Sequence, residues 1–423
     1  MKDQIINCLK TINGIDDWKL VINETKTSEM FYVLGQLETT RMTDTLDYEV
    51  TVYRKIVKGE ETLIGSSTIM IPHEMLDEEL LSLLQTAVFS AGLAPNKLYE
   101  LVKGREAKVW EENVRYNRPF ETLDQVAKYF FDVSTSNRKF NSLELFFNVN
   151  QVHLINSQGV DYMKTLNTIE VEAIPSYDGE HQKVEIYKYY RYKEVNPDQI
   201  KQDALDALKE VEARYLAEDL QEKKQMDIIL RDQDVHRLVR ELISTSSYEG
   251  VYKGSALYKL NDDIQTDAIG DQLTVHLAPQ SETDGFDLDG VLLEQVKVVD
   301  HGQIVSYYGN NQYAYYLGVK PSGQLRFTKV NQGHIAIEEM KQTPYLEILS
   351  LSGLQIDIYN GYIGGEVRLA DYFDGEKTIP LSKFSFSGNL SDALKDIVLS
   401  KEVYLSSSYE GPKYLKLKNL EIL

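Results

Sequence analysis

Cysteine is almost absent: Cys8 is the only one in 423 residues. A single thiol excludes an intrachain disulfide and any metal centre built on several thiolates. No stretch approaches the ~18 consecutive apolar residues needed to cross a bilayer. The opening MKDQIINCLKTINGIDDW has neither a long apolar core nor a small-residue cleavage site, so it does not read as a signal peptide, and a cytoplasmic protein is expected. Ile5, Ile6, Leu9 and Ile12 instead fall on one face of a short helix. Basic residues are in deficit, 45 against 66 acidic, giving a net charge of −21 and a pI near 4.8. Such a surface repels polyphosphate and speaks against sequence-independent nucleic-acid binding. There is no short-period repeat, no low-complexity segment and no G-x-S-x-G nucleophile elbow. Gly361, Gly364 and Gly365 match neither a dinucleotide fingerprint nor a phosphate loop.

What remains is ordinary globular material, 42% apolar and 26% charged, in a chain long enough for two or three domains. Tyrosine is abundant, with 28 residues, and suits half-buried strands as well as contact surfaces. Strands are predicted at 18–24, 30–37, 48–56 and 62–71, then a helix over 73–92 with Leu76, Leu80, Leu84, Ala87 and Val88 as its stripe. The charged stretch 105–119 reads as a linker. A helix near 122–132 precedes strands at 142–149, 151–157, 168–177 and 181–195. Pro197 and Asp198 then open a helix over 197–220, its buried face carrying Ile200, Ala204, Leu208, Val211 and Tyr215. From 221 onward come a strand at 226–230, a helix at 232–243 and a largely β remainder: 272–277, 291–300, 303–309, 345–353, 354–361 and a hairpin at 366–388 turning on Asp374-Gly375. A short helix at 391–397 and two further strands close the chain. This pattern divides it into 1–220, in parts 1–104 and 105–220, and a β-rich 221–423.

Candidate chemistry is thin. His73-Glu74 begins like H-E-x-x-H, but Asp77 stands where the second histidine belongs, and the pair reads as an ordinary helix start after Pro72, with Glu74, Asp77 and Glu78 complementing the dipole. Asp287-Leu288-Asp289-Gly290 hints at a calcium loop, yet Gly285 and Val296 occupy its first and last ligand positions, so a tight turn is the better account. IYKYYRYKEV (186–195) interleaves aromatics and cations; as a strand it sets Tyr190 and Tyr192 on one side and Tyr187, Tyr189 and Arg191 on the other, a solvated sheet face. His276, His301 and His334 show no ligand spacing.

Several landmarks recur in an order resembling the TldD/PmbA (TldD/TldE) family of metallopeptidase-related proteins. They are the turn Asn156-Ser157-Gln158-Gly159 with Thr165, the turn Tyr252-Lys253-Gly254-Ser255-Ala256, and the stretch FDLDGVLLEQVKVVDHGQIVSYYGNNQYAYYLG (286–318). Ser322-Gly323 with Arg326 and the segment 356–397 follow. The resemblance implies an α+β fold: an N-terminal α/β layered region, then a largely β pseudo-barrel capped by helices. It implies a role in proteolysis of peptides or small proteins, in which a zinc-bearing half hydrolyses and a PmbA/TldE half pairs with it as a dimer.

In the zinc-bearing members, the helix before the Gly-Ser turn carries H-E-x-x-x-H. Here that region reads VHRLVRELISTSSYEGVYKGS (235–255), with His236 and Glu241 on different helix faces. Counting back from Gly254-Ser255, the histidine positions fall near Arg237 or Leu238 and near Leu242 or Ile243, and the family's C-terminal cysteine has no counterpart. The resemblance therefore carries over no catalytic residue, no metal ligand and no cofactor, and assigns no substrate-binding residue. It implies a PmbA/TldE-like subunit partnered by a zinc-bearing TldD-like chain or by itself, acting on peptides, with no membrane and no nucleic acid. The alternatives are an autonomous homodimeric peptide- or protein-binding module and, less directly, an enzyme with a relocated metal site.

Overall fold

Apolar and β-branched residues alternate over longer stretches than their local patterns delimit, and the strands are correspondingly long. The computed structural model describes residues 1–111, 118–220 and 225–423. Its first part holds α1 (Lys2–Thr11), β1 (Asp17–Val33), β2 (Gln36–Lys58), β3 (Glu61–Ile71), α2 (Asp77–Ala91), β4 (Asn96–Lys97) and β5 (Lys108–Glu111). It continues with α3 (Pro119–Phe131), β6 (Arg138–Asn156), β7 (Asp161–Asp178), β8 (Lys183–Glu185), β9 (Lys188–Tyr192) and α4 (Pro197–Leu216). The strands form one sheet in the order β4-β3-β2-β1-β6-β7-β5, with β8 and β9 also paired to β7.

Several boundaries differ from the sequence reading. The segments 18–24 and 30–37 are one strand, β1, and the chain reverses at Leu34-Gly35, both at positive φ (48° and 77°). The predicted strands at 142–149 and 151–157 are likewise continuous as β6. Isolated polar residues inside a strand cost little when one face is open, so Thr25, Ser28 and Asn150 do not interrupt pairing. The predicted strand 181–195 breaks into β8 and β9. The charged 105–119 contains β5, paired in parallel to β7, while 112–117 lie outside the described residues.

Helices cover one face of this sheet. Leu80, Leu84, Ala87 and Val88 of α2 join Ile5 and Leu9 of α1 above β1–β3. Leu76 is 71% exposed, because it precedes the helix rather than riding on it; its N–H donates to the Glu79 carboxylate at 3.3 Å. On α4, Asn196 caps the start by accepting from the Gln199 N–H at 3.2 Å, and Ile200, Ala204, Ala207 and Leu208 pack with α3 into a second core.

The second part comprises β10 (Glu218–Asp219), β11 (Gln225–Arg231), α5 (Gln233–Ile243), α6 (Tyr248–Lys253), β12 (Val275–Ala278), β13 (Val296–Asp300), β14 (Gln303–Ile304) and α7 (Asn311–Leu317). Next come β15 (Phe327–Val330), α8 (Ile337–Met340), β16 (Tyr345–Asp357), β17 (Tyr362–Phe373), β18 (Thr378–Ser382) and β19 (Phe384–Asn389). Then follow α9 (Leu390–Lys395), β20 (Val398–Leu399), β21 (Val403–Leu405), β22 (Tyr409–Pro412) and β23 (Tyr414–Ile422). Strands β17, β16, β11, β23 and β19 pair in that order, and β19 pairs back to β17, closing a small barrel. Closure removes free edges and encloses one large aliphatic core. A separate sheet, β14-β13-β12-β15-β22-β21, stands beside it. The fold is α+β, as the sequence pattern indicates.

Two of the turns singled out in the sequence meet where the parts join. Asn156 Oδ1 accepts from the Gln158 and Val160 N–H groups at 2.9 and 3.0 Å. Asp287 Oδ1 accepts from Asp289 and Val291, and its Oδ2 from Gln324, all at 2.9–3.0 Å. The second turn is therefore structural, held by backbone donors that satisfy a buried carboxylate. Gly290, at φ 87°, packs against Val160, where a Cβ would come within 3.2 Å of the valine methyls. Alongside, Lys164 Nζ reaches Asp284 Oδ1 and the Phe286 carbonyl, each at 2.6 Å. Together they form a clasp between the first sheet and the second part.

Candidate functional site

Helix α5 occupies the position at which the sequence pattern seeks metal ligands. Its period is strongly amphipathic, and Val235, Leu238, Val239, Leu242 and Ile243 are each 0% exposed. They sit in the barrel core with Ile228, Ile348 and Leu415, each contributing about 1.5–3 kcal/mol through burial. His236 turns away from that face. Its Nε2 lies 3.3 Å from Thr328 Oγ1, its Nδ1 3.4 Å from Gln233 Oε1, and its ring 5.0 Å from that of buried Tyr409. Burial, reinforced by Arg240, lowers its pKa to about 4, so the ring is a neutral packing element at physiological pH. Glu241 is exposed on another face.

The other candidates are scattered. His73 is exposed beside Glu74, 3.7 Å away. His276 is on β12, His301 at a positive-φ turn next to Asp300, and His334 is exposed on a loop. Cys8 packs at the margin of the α1–α2 core, and burial followed by Asp77 raises its pKa. Among the described residues, no three His, Cys, Asp or Glu side chains converge as a metal site.

A cleft among the described residues has two adjoining lobes of about 460 and 410 Å³. Both lobes are lined by Arg191 and Tyr192 of β9, Gln199 of α4, and Leu405 and Ser406. The sequence run 186–195 thus borders a cavity: Tyr190 and Tyr192 point inward as stacked rings 6.1 Å apart, while Tyr187 and Tyr189 are exposed. Gln199 crosses the cleft to the Leu405 carbonyl at 3.2 Å.

The second lobe reaches the N-terminus of α5 and is strongly charged. Glu210 receives Lys188 at 2.5 Å and Arg231 at 3.3 Å. Arg231 also lies 3.4 Å from Asp232 and 3.9 Å from Glu347. Burial alone would lower the Arg231 pKa, but Asp232, Glu210 and Glu347 outweigh it and raise it. Asp203 accepts from the Tyr192 hydroxyl at 2.9 Å. Burial pushes Asp203 up to about 7, the Tyr192 hydrogen bond opposing and Asp232 adding to the shift. Asp232, at φ 53°, is raised by burial as well, with Arg231 opposing. Sequence patterning singled out only the β9 wall of this lobe, as the run 186–195, and missed the rest because it comes from α4, β11 and the 404–413 region.

The sign of the Asp203 effect is definite. A carboxyl whose pKa rises on folding contributes stability fully present below its unfolded value, near 3.9, and lost as pH climbs through about 7. Asp234 and Asp287, both pushed up to about 6 chiefly by burial, act in the same direction. His236, lowered to about 4, acts oppositely, its share being lost as pH falls below ~6.5. In Asp203→Asn, the fall in unfolding free energy between pH 5 and pH 8 should be smaller than in the native chain. Urea melts at the two pH values test this, and equal falls would contradict it.

Comparison with known proteins follows this geometry. Residues 223–423 match the family model described as the PmbA/TldA metallopeptidase C-terminal domain. A curated relative, the zinc metalloprotease TldD homolog of Saccharolobus solfataricus, is 26% identical over 231 residues, 46% of this chain and 51% of its own length. The chain thus spans about half the length of that relative. The crystal structure of TldE from Thermococcus kodakarensis superposes with a TM-score of 0.75 at 14% identity, covering 100% of this chain and 99% of that one. A protein described as a modulator of DNA gyrase from Bacteroides thetaiotaomicron gives 0.78 at 16% identity, covering 100% and 97%. Its counterpart from Thermotoga maritima gives 0.74 at 16%, covering 100% and 99%. At these identities the superpositions establish the fold alone.

Proposed function

The chain belongs to the TldD/PmbA family of metallopeptidase-related proteins, and on that premise we propose that it is a PmbA/TldE-like, non-catalytic partner of a zinc-bearing TldD-type peptidase. The construction of α5 supports this reading. The positions where the zinc-bearing pattern needs imidazoles fall near Arg237 or Leu238 and near Leu242 or Ile243; Leu238, Leu242 and Ile243 are built into the core, and Arg237 is an exposed cation. The helix's single histidine is held by Thr328 and packed on Tyr409. Zinc, which the archaeal relative has in its name, does not fit these donors: a tetrahedral site needs several nitrogen, sulfur or oxygen ligands around one point. The nearest thiol, Cys8, belongs to a different core.

In this reading the chain works in proteolysis without cleaving. Residues 1–220 and 221–423 are its two domains, its location is cytoplasmic, and its cleft holds part of a peptide that the partner cuts. No helix among the described residues is long and apolar enough to cross a membrane. Co-expression with a zinc-bearing relative from the same genome tests the pairing. The two chains should elute together in fixed ratio, and adding this chain should raise the relative's peptide-cleavage rate at least about tenfold, equivalent to ~1.4 kcal/mol. Separate elution with an unchanged rate would refute it.

A second reading draws on the cleft itself. Among the described residues strand β9 pairs only with β7, and β9 lines the cleft together with Gln199 and Ser406. An edge flanked by charged and aromatic side chains can hold an extended peptide by main-chain hydrogen bonds. Peptide binding by the isolated chain, indifferent to any zinc-bearing relative, would favour this autonomous module.

A further inference from the structure

The second lobe of the cleft is lined by the carboxylates of Asp203, Asp206, Glu210 and Asp232, and their pairing is unequal. Glu210 holds Lys188 and Arg231, and Asp232 holds Arg231. Asp206 lies 3.8 Å from both Lys209 and Lys413. Among the described residues, no Lys, Arg or His stands within ion-pair distance of Asp203, whose Oδ2 accepts from the Tyr192 hydroxyl at 2.9 Å. Asp232 is set in the same wall, and its buried Oδ1 has no hydrogen-bond partner. A carboxylate taken out of water ordinarily gains a cation or several donors, because its desolvation is otherwise uncompensated.

The opposite charges in the lobe are already engaged. Lys188 and Arg231 serve Glu210, Lys413 serves Asp206, and Arg191 turns to Glu170 at 3.3 Å. No lining ammonium or guanidinium is therefore left over for an anionic ligand, whereas acceptor oxygens are. Tyr190, Tyr192 and Tyr404 complete the wall, and aromatic rings beside a carboxylate favour a cation. The volume of about 410 Å³ suits a small group rather than a folded partner. At long range the net charge of −21 draws cationic segments toward the chain.

We propose that the second lobe is a subsite for a positively charged group of a peptide, its amino terminus or a basic side chain, seated against Asp203 and Asp232. The proposal rests on the reading that the cleft holds a peptide and names what this end of it recognises. An ammonium or guanidinium there supplies Asp203 with its missing partner through charge-assisted hydrogen bonds. The groups facing Asp203 are Lys188 and Tyr192 from β9, Asp206 and Glu210 from α4, Arg231 and Asp232 from the β11–α5 junction, and Tyr404 and Lys413 beyond. Burial holds Asp203 up at about 7 and raises Asp232 as well. An incoming cation favours their ionised forms, so it should expel protons as it binds.

The test titrates the full chain alone with short dye-labelled peptides, read by fluorescence anisotropy. The reference peptide is uncharged and acetylated; the others differ from it by a free amino terminus, one lysine or one arginine. At least one cationic form should bind about tenfold tighter than the reference or better, and which one does so separates the amino terminus from a side chain. Asp203→Asn should erase that preference and leave the reference peptide's affinity unchanged. Glu241→Gln, at an exposed acid on another helix face, should leave the preference intact. On the native chain, calorimetry at pH 6.5 in buffers of different ionisation heat should show protons released by the preferred peptide and not by the reference. Equal affinities for all forms would overturn the proposal and leave the peptide cleft standing. A preference that survives Asp203→Asn, or cation binding without proton release, would place the charge elsewhere and overturn it too. Binding of none of the peptides would overturn the proposal and the cleft reading together.

Discussion

Replacing Lys164 with methionine should lower the unfolding free energy by about 3–5 kcal/mol, the loss that follows when one partner of a buried ion pair is removed. Lys164 and Asp284 side chains are only 10% and 12% exposed, and their charged atoms are 2.6 Å apart. The same ammonium donates to the Phe286 carbonyl at 2.6 Å and lies 4.7 Å from the centroid of the Phe286 ring. Methionine retains the bulk and deletes the charge, so Asp284 is left buried without its cation, its carboxylate still accepting from the Gln280 N–H at 3.1 Å. Adding Asp284→Asn should recover part of the loss, because the unpaired charge then disappears. Denaturant melts of the two single variants and the double measure this. A change below about 1 kcal/mol, typical of an exposed pair, would mean that the clasp does not hold the two parts together.

The second large effect concerns α5. Leu242→His should cost at least the roughly 2–5 kcal/mol of a buried leucine truncation, because it removes a fully buried aliphatic side chain and buries an imidazole without a partner. No zinc should be gained in return, even when Leu238→His is added to place two rings four residues apart. The surrounding core of Ile228, Ile348 and Leu415 supplies no third donor. A double variant that kept its melting temperature and bound one zinc per chain would show this helix face to be a dormant metal site rather than a structural one.

The parts of the fold legible in the sequence are those carried by a single dominant period. The helices α4 and α5 follow from their stripes, and the turn at Asp374 from one dipeptide, the Asp374 carboxylate accepting from the Glu376 and Lys377 N–H groups at 2.8 and 2.9 Å. Strand extent was less legible. TTRMTDTLD carries no clean alternation because it buries neither face, so its place in β2 depends on its pairing with β1 rather than on its own pattern. The short helices α6, α7 and α8, of six, seven and four residues, are too brief to show a period.

The candidate site divides in the same way. The missing donors on α5 could be read directly, since a ligand set is a matter of residue identity and spacing. The cleft could not: Asp203, Glu210, Arg231 and Lys413 are distant in sequence and meet only through the packing of α4 against the second part. The two turns at Asn156 and Asp287 were visible as turns. Their contact, and the lysine that reinforces it, depends on long-range geometry that no local pattern encodes.

Zinc analysis of the purified chain, combined with a peptide-cleavage assay with and without a chelator, tests the central claim most directly. Metal well below one equivalent is expected, with no chelator-sensitive cleavage until a zinc-bearing relative is added. One tightly held zinc per chain, together with cleavage by the lone chain that the chelator abolishes, would contradict it.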